Sequence, residues 1–356
     1  MRRIYQSKRK IRYLTETIYS KIYRTMKKVI ATILFLVIAL SAAFPQSTAW
    51  KRDRNSVFGG IGYNFFMGEL GGGKKDAAHF FGIRDVDLAC TRPAMQVGYR
   101  YRILEPLSAR ASFTYCRIYG DDAESANIYR KARNLNFRSD LFEIGATVDY
   151  YFVKEKAISR FGAFQSVSQW KQRISAYLFV GFGAVHFKPK GKLDGSWHEL
   201  QPLCTEGQGS GIVLKITDEN GNIHTVKTES KPYKLWAATI PLGIGVKYRL
   251  NPKMALSLEF ANHYTTTDYI DDISSDYYIN YEQEGAKPPS ELTMKFADRH
   301  FDVDNNGQLI EPDAPYKSGQ MRRGNSGYND AYLVTMICFH YKLTENLLPQ
   351  RKPKYY

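Results

Sequence analysis

The stretch from Trp236 to Tyr264 constrains this chain most, because its residues alternate between two chemically distinct faces. The turn signal Asn251-Pro252-Lys253 divides it into two runs, since proline presets φ and has no N–H to donate to a neighbouring strand. One face is small or charged; the other is apolar and consists of Trp236, Ala238, Ile240, Leu242, Ile244, Val246, Tyr248, Leu256, Leu258 and Phe260. Such a hairpin fits a soluble sheet with one wet side, or a barrel in lipid whose apolar face points outward.

The same period of two returns in six further segments, so that about eight strands are predicted. The six lie near 57–67, 95–103, 107–115, 142–152, 174–187 and 331–343. The connections are short at Glu105-Pro106 and Asn251-Pro252, medium at 154–173 and long elsewhere, an asymmetry typical of outer-membrane barrels. We therefore predict an all-β protein, an antiparallel transmembrane β-barrel with long extracellular loops. The alternative is a soluble sandwich or a lipocalin-like barrel.

Charged residues recur on the strand faces opposite the apolar ones. Side chains just fill the interior of an eight-stranded barrel. We therefore predict a polar plug of paired charges rather than a diffusion pore, made of Arg100, Arg102, Arg110, Glu143, Asp149, Lys247, Arg249 and Glu259.

The N-terminal part of the chain indicates export. Met26-Lys27-Lys28 precedes an apolar run that ends near Leu40 and is followed by small residues, the pattern of a secretory signal peptide. A spanning helix would need about 20 apolar residues. We interpret 1–25 as an upstream extension, 26–49 as the signal peptide, 50–343 as an outer-membrane barrel and 344–356 as a periplasmic tail.

The formal net charge of +15 does not indicate a nucleic-acid partner. Nine of the excess positive charges lie in residues 1–49, which leaves six for the rest of the chain. A nucleic-acid-binding domain needs a strong basic footprint. The four cysteines show no CxxC spacing and so no zinc signature.

One loop motif resembles a calcium loop. Oxygen-bearing residues at positions one, three and five, with Asp313 at position twelve, follow that spacing; they are Asp302, Asp304 and Asn306. Aspartate instead of glutamate at position twelve, the preceding Pro312 and the absence of a flanking helical pattern favour a plain turn. We predict no metal and no other cofactor.

A hydrolase site at the barrel rim is an alternative, because histidines and possible partners lie near predicted strand ends. They are His186, His198, His263, His300, Ser196, Asp268 and Asp271. Catalysis needs a nucleophile and a base within hydrogen-bond reach, which the spacing does not supply. The acids of 268–272 also fit a surface turn whose carboxylates bind the local backbone. We predict that the protein is not an enzyme.

Several stretches resemble a known family. They are FMGELGG at 66–72, YLFVGFG at 177–183, LQPLCTEGQG at 200–209, TDYIDDIS at 267–274, and RGN at 323–325 with ND at 329–330. Over roughly 57–343 the chain resembles the Bacteroidetes-type outer-membrane barrels that include PorG, a component of the type IX secretion system. The resemblance implies a non-enzymatic barrel that anchors the periplasmic ring of the lipoprotein PorK and of PorN. The alternative is an adhesive or structural barrel, or an enzyme at the outer rim.

The connection 154–173 is the predicted periplasmic contact, because the other periplasmic turns are too short to offer much surface. It combines basic residues with aromatic anchors, as interface hot spots do. The predicted partner-binding residues are Lys154, Lys156, Arg160, Phe161, Phe164, Trp170, Lys171 and Arg173. Alternatively, these residues meet the head groups of outer-membrane lipid or form the interfacial girdle.

Overall fold

The computed structural model describes residues 53–68, 70, 90–125, 127–154, 173–208, 213–217, 223–227, 231–274, 290–303, 308–310, 323–324, 327 and 329–343. All of these residues belong to the unit Ala49–Tyr356. The predicted upstream extension and signal peptide, residues 155–172 of the predicted contact, and the tail 344–356 lie outside the described residues.

Strands dominate the described residues. In chain order the elements are β1 (Asn55–Met67), β2 (Arg92–Leu104), β3 (Leu107–Asp121), α1 (Ile128–Arg133), β4 (Asn136–Val153), β5 (Ile174–His186), β6 (Pro189–Leu193), β7 (Ser196–Glu199), β8 (Val213–Thr217), β9 (Ile223–Lys227), β10 (Trp236–Arg249), β11 (Met254–Thr265), α2 (Glu291–Ala297), β12 (Asp302–Val303), β13 (Leu309–Ile310) and β14 (Ala331–Leu343). Two short 3₁₀ helices, Asp122–Glu124 and Gln201–Leu203, lie in the connections.

Eight of these strands close into one antiparallel barrel. The order around the wall is β1, β2, β3, β4, β5, β10, β11 and β14, and β14 pairs with β1 to complete the circle. The prediction of an eight-stranded barrel is therefore confirmed, and the alternative of a two-sheet sandwich is wrong. The other strands form small hairpins, of which β6–β7 extends the barrel wall through β4. Among the described residues no helix is both long and apolar enough to cross a membrane.

The barrel has apolar side chains outside and polar side chains inside. Large outward-facing apolar residues are widely exposed, with Phe182 at 75% and Ile61 at 68%, whereas the inward-facing Arg100 and Glu259 are buried. This polarity is the reverse of that in a soluble barrel, and it suits a wall that faces lipid. Closure also pairs every strand edge, as lipid requires. The protein is an outer-membrane β-barrel.

The polarity of the alternation reverses near one end of β3 and β4. Up to Tyr115 and Phe142, which are paired, the outward residues are mainly apolar and the inward ones polar. Beyond them the inward residues, such as Cys116 and Leu141, are buried in an apolar core, whereas the outward residues are charged or aromatic. The two strands thus leave the apolar zone at the same level and continue as a water-facing sheet. We call this end of the barrel the loop end, and the opposite end, with the short turns, the turn end.

Glycines inside the wall make room for the aromatic residues of β5. A side chain at Gly243 would meet the ring of Phe179, and one at Gly245 would meet the ring of Tyr177. Both rings are buried and point into the lumen. The almost wholly apolar character of β5 therefore arises because this strand is apolar on both faces, with rings filling the interior.

We expect Gly62→Ala to destabilise the barrel by about 1–3 kcal/mol, because an added Cβ would lie 1.8 Å from the backbone oxygen of Thr335, and overpacking of this kind forces the wall to shift. The folded fraction is measured by heat-modifiable migration of the membrane-inserted protein. Gly59→Ala is the control, since its Cβ would meet nothing closer than 3.9 Å. Equal folded fractions for the two variants would contradict the expectation.

Candidate functional site

Four charged residues cross-link the lumen. Arg100 of β2 and Arg110 of β3 meet Asp149 of β4, with Arg100 Nε to Asp149 Oδ2 at 2.8 Å and Arg110 Nε to Asp149 Oδ1 at 3.5 Å. Glu259 of β11, on the opposite wall, accepts from Arg110 Nη1 at 2.6 Å and from Arg100 Nη2 at 3.4 Å. We call these four residues the lumen charge network. Two cations balance two anions, as burial of charge requires.

Aromatic and hydroxyl groups complete this layer. The Tyr177 hydroxyl donates to Glu259, and the Arg110 guanidinium lies 4.3 Å from the centre of the Phe179 ring. His340 approaches Arg100 through Nδ1 at 3.4 Å and Ser257 Oγ through Nε2 at 2.7 Å. Hydrogen bonds of this kind satisfy the polar groups of the plug, so that the charged layer is held in one arrangement.

A second polar layer lies nearer the loop end, around Glu143. This carboxylate pairs with His263 Nδ1 at 2.8 Å and accepts hydrogen bonds from Tyr332 at 2.6 Å and Thr239 at 2.9 Å. The rings of His263 and Tyr332 stack at 4.8 Å. A cavity of about 20 Å³ separates the two layers, lined among others by Gln96 and Thr147, and has room for one or two water molecules.

The remaining predicted lumen residues lie toward the turn end. Lys247 is buried and donates to the Tyr151 hydroxyl at 3.0 Å. Arg102 lies over the ring of Tyr151 at 5.6 Å, and both Arg102 and Arg249 are half-buried. All eight predicted residues therefore belong to the strands that surround the lumen, and six of them are buried. In the described part of the chain the lumen is filled rather than open.

The loop end carries an apolar core of its own. One cluster of buried side chains, which also continues into the upper lumen, contains Phe137, Phe187, Ile270, Ile273 and Phe296. The rings of Phe187, Tyr233 and Tyr269 stack in a column, with centroid separations of 6.3 and 4.6 Å. The described parts of the four long connections thus fold over the barrel mouth as a cap.

A buried polar network holds this cap together. Asp272 accepts from Thr205 Oγ1 at 2.5 Å and from the Tyr233 hydroxyl at 2.6 Å. Glu206 pairs with Arg323 Nε at 2.9 Å and accepts from the backbone N–H of Ser274 at 3.2 Å. Arg323 also donates to Thr205 Oγ1 at 3.1 Å. We call these six residues the cap network.

The connections β1–β2 and β3–β4 are joined to the connection β11–β14 by hydrogen bonds that involve the backbone. Arg133 donates to the carbonyl oxygen of Arg323 and forms a two-pronged pair with Asp122 at 2.8 Å for each bond. The backbone N–H of Leu70 donates to Asp271, and that of Ile270 donates to Asp330. Each of the four long connections therefore contributes to one interlocked structure.

The electrostatics of the cap network centre on Asp272. Burial raises the pKa of this carboxyl to about 7 against the opposing effect of its hydrogen bonds to Thr205 and Tyr233. Burial also raises the pKa of Tyr233 well above its ordinary value, assisted by the charge of Asp272. The cap thus contains an acid that changes charge near neutral pH.

The structure gives each histidine of the predicted rim site a different neighbour. His186 lies against Trp236 on the outer wall, His198 packs on Phe296, and His300 pairs with Asp298. His263 is in the lumen with Glu143. The alternative of a surface turn at 267–272 is wrong about exposure, because Asp268, Asp271 and Asp272 are all buried by tertiary contacts in the cap. Its local backbone bonding is seen at Asp271, which accepts from the N–H of Ile273 at 3.1 Å.

Two other predicted sites fall mostly outside the described residues. Asp302 begins the two-residue strand β12, which pairs with β13, while Asp304, Asn306 and Asp313 lie outside the described residues. Of the predicted contact, Lys154 pairs with Glu105 at 3.5 Å, and the carbonyl of Arg173 accepts from the N–H of Arg249. The other predicted contact residues lie outside the described residues; they are Lys156, Arg160, Phe161, Phe164, Trp170 and Lys171.

Comparisons with known proteins find structures but no sequence relatives. No protein-family model and no curated protein matches the chain. Similar solved structures include Neisserial surface protein A (12% identity, 81% of this chain and 96% of that chain, TM-score 0.30) and Ail of Yersinia pestis (10%, 82% and 98%, 0.30). A major outer membrane protein from Thermus thermophilus is another (11%, 80% and 98%, 0.30). At these TM-scores the matches carry no argument, and the fold is defined by the strand pairing described above.

We expect Glu259→Gln to lower the free energy of unfolding by about 3–5 kcal/mol, because it leaves Arg100 and Arg110 buried with only Asp149 to balance them. Urea unfolding in lipid vesicles measures the effect. The double variant Arg110→Met/Glu259→Leu should lose less free energy of unfolding than Arg110→Met and Glu259→Leu lose in sum. Glu291→Gln is the control, since its side chain is 85% exposed and should matter little. Equal losses for Glu259→Gln and Glu291→Gln would contradict the expectation.

We expect the cap to weaken as the pH rises. The folded pKa of Asp272 is above its ordinary value of 3.8, so its contribution is complete below about pH 4 and is lost as the pH rises to about 7. Hydrogen exchange at 267–274, corrected for the intrinsic rate, should report about 2 kcal/mol less protection at pH 8 than at pH 5. Asp272→Asn should flatten this profile, whereas the exposed Asp194→Asn should keep it. An unchanged profile in Asp272→Asn would rule out this carboxyl as the cause.

Proposed function

We propose that this chain is a PorG-like structural barrel, without catalytic activity, that anchors the PorK–PorN ring of the type IX secretion system to the outer membrane. The observation that carries the proposal is the cap network. Its members Thr205, Glu206, Asp272, Ser274 and Arg323 come from the loop stretches on which the family resemblance rests. Stretches separated by up to 118 residues thus contribute to one structure, which supports treating them as a single family feature.

The filled lumen supports an anchoring role over transport. A conducting barrel needs a continuous path, whereas the lumen charge network links β2, β3 and β4 to β11 on the opposite wall. A closed, cross-linked barrel is a rigid body. Its useful surfaces are then its two ends and its outer wall, and its turn end faces the periplasm in the usual orientation of such barrels.

The proposed docking surface at the turn end is the connection between β4 and β5. Its partner-binding residues are Lys154, Lys156, Arg160, Phe161, Phe164, Trp170, Lys171 and Arg173. This connection is the longest at the turn end, since β2–β3 and β10–β11 are joined by only a few residues. Aromatic anchors with neighbouring arginines are the residue types enriched at interface hot spots.

Deletion of the protein tests the anchoring role. We expect the deletion strain to lose secretion of type IX cargo, because the ring would lack its attachment to the outer membrane. Cargo is measured in the culture supernatant and on the cell surface, with expression of the intact chain as the complementation control. Normal secretion would contradict the proposal. Normal secretion with lost surface attachment would indicate an adhesin, and altered outer-membrane lipid would indicate a rim enzyme.

A triple variant tests the docking surface separately. Arg160→Glu, Phe164→Ala and Trp170→Ala together should leave membrane insertion intact and abolish co-purification with the ring lipoprotein. Lys253→Glu, an exposed charge change in the neighbouring β10–β11 turn, is the matched control. If the triple variant inserts and co-purifies at the wild-type level, the contact lies elsewhere on the turn end.

A further inference from the structure

Six cations lie together on the outer wall at the loop end. We call Arg92, Arg117, Arg138, Lys188, Lys190 and Lys192 the basic band. The neighbours along the chain show the side-chain direction of five of them. Buried residues that point into the cap are Ile118, Phe137, Ser139, Phe187 and Gly191, so that Arg117, Arg138, Lys188, Lys190 and Lys192, which alternate with them, face outward. Arg92 starts from the inward face of β2, where it pairs with Asn64, and its guanidinium reaches this surface over the outward ring of Tyr119. Direct pairing of Arg138 with Lys190 places β4 and β6 side by side in this surface.

A row of aromatic residues lies directly below the basic band. A row of paired residues crosses β3, β4, β5 and β10 and consists of Tyr115, Phe142, His186 and Trp236. Trp236 is 58% exposed and Phe142 is 41% exposed. Aromatic rings that border an apolar wall mark the boundary between hydrocarbon and head groups.

The basic band extends from head-group depth to just above it. Arg117 is two residues beyond the aromatic row, and the paired residues Tyr119 and Arg138 are four residues beyond it. With a rise of about 3.3 Å per residue and a tilt of about 40°, these positions lie about 5 and 10 Å above the boundary. The head-group layer is itself about 5–8 Å thick on each side of a bilayer. The backbone of Arg117 therefore lies within this layer, whereas that of Arg138 lies just above it, a distance that a long arginine or lysine side chain can span.

Aromatic contacts hold two guanidinium groups in this surface. Arg92 lies 4.2 Å from the ring centre of Tyr119, and Arg138 lies 4.2 Å from that of Trp197. The two rings meet edge to face at 6.5 Å. A guanidinium stacked in this way is positioned with little further loss of entropy, and its planar set of donors matches the oxygens of a phosphate group.

The charge of this surface is one-sided. Among the described residues its acids are Asp121, Asp140 and Glu199, with the exposed Asp194 in the β6–β7 turn; Asp140 pairs with Arg117 at 2.7 Å and Glu199 pairs with Lys188. In this part of the chain the cations therefore outnumber the carboxylates. On the opposite side, the outward residues at the loop ends of β1, β11 and β14 are uncharged; they are Phe65, Met67, Asn262, Tyr264 and Leu333.

We propose that the basic band is a docking surface for the phosphorylated glycolipid of the outer leaflet. The band continues the lipid-facing wall without a break, so a membrane lipid reaches it with its acyl chains against the apolar strands. Anionic head groups attract cations at this depth. The phosphates would contact Arg92, Arg138 and Lys190, and the one-sided charge would gather such lipids beside β3, β4 and β6.

Lipid binding by the full mature chain in nanodiscs tests the proposal. The probes are diphosphorylated lipid A and the same glycolipid without phosphates, each detected by native mass spectrometry of the retained lipid. Arg92→Gln/Arg138→Gln/Lys190→Gln should bind diphosphorylated lipid A at least about 10-fold more weakly than wild type. The control variant changes three exposed cations elsewhere at the loop end, Lys231→Gln/Lys234→Gln/Lys295→Gln. Its affinity for diphosphorylated lipid A should remain within about twofold of that of wild type.

Heat-modifiable migration establishes that each variant has folded. If the triple variant fails to assemble, the double variant Lys190→Gln/Lys192→Gln replaces it, because it alters only outward residues of β6. It should also bind diphosphorylated lipid A more weakly than wild type. Equal binding by wild type and the folded variant would overturn the proposal, as would equal binding of the glycolipid without phosphates. Displacement of the lipid by inorganic phosphate at a similar concentration would overturn it as well, since the band would then be a site for the free anion.

Discussion

The pairing of Arg100, Arg110, Asp149 and Glu259 across the lumen is the interaction on which the rest of this barrel depends. The eight-stranded wall must present apolar side chains to lipid, so its polar residues have only the interior to occupy. Buried charges are tolerated there because each has an opposite charge within about 3.5 Å. The same pairs join β2, β3 and β4 to β11 on the far wall, so neutralising the plug also stiffens the barrel.

Closure of the lumen also determines how the loop end can fold. Above Glu143 and His263 the interior becomes apolar, and Phe66, Phe137 and Tyr332 lead into the core of the cap. The cap therefore rests on a filled barrel rather than over an open channel. Its buried acids, Glu206 and Asp272, are in turn supported by Arg323, Thr205 and Tyr233.

Period-two alternation predicted the eight strands and the inward direction of Arg100, Glu143 and Glu259, because lipid enforces that pattern along the whole wall. The cap was not predicted, since burial of Asp271 and Asp272 depends on contacts with Leu70, Thr205 and Tyr233 far away in the chain. The only sequence signal was the set of stretches resembling the PorG-containing family. Helices α1 and α2 are six and seven residues long, too short for a periodic pattern to stand out.

The reversal of polarity along β3 and β4 lies beyond the predicted strands 107–115 and 142–152, in residues that are expected to form a long connection but continue both strands. Beyond Tyr115 and before Phe142 the alternation continues with charged residues outward and apolar residues inward, the pattern of a water-facing sheet. The reversal therefore locates the membrane boundary without reference to any lipid. It also couples the two faces of one sheet: Ile118 and Phe137 anchor the cap core, while Arg117 and Arg138 on the same strands face outward. A rigid cap thus fixes the spacing of the outward cations, which loose loops could not do.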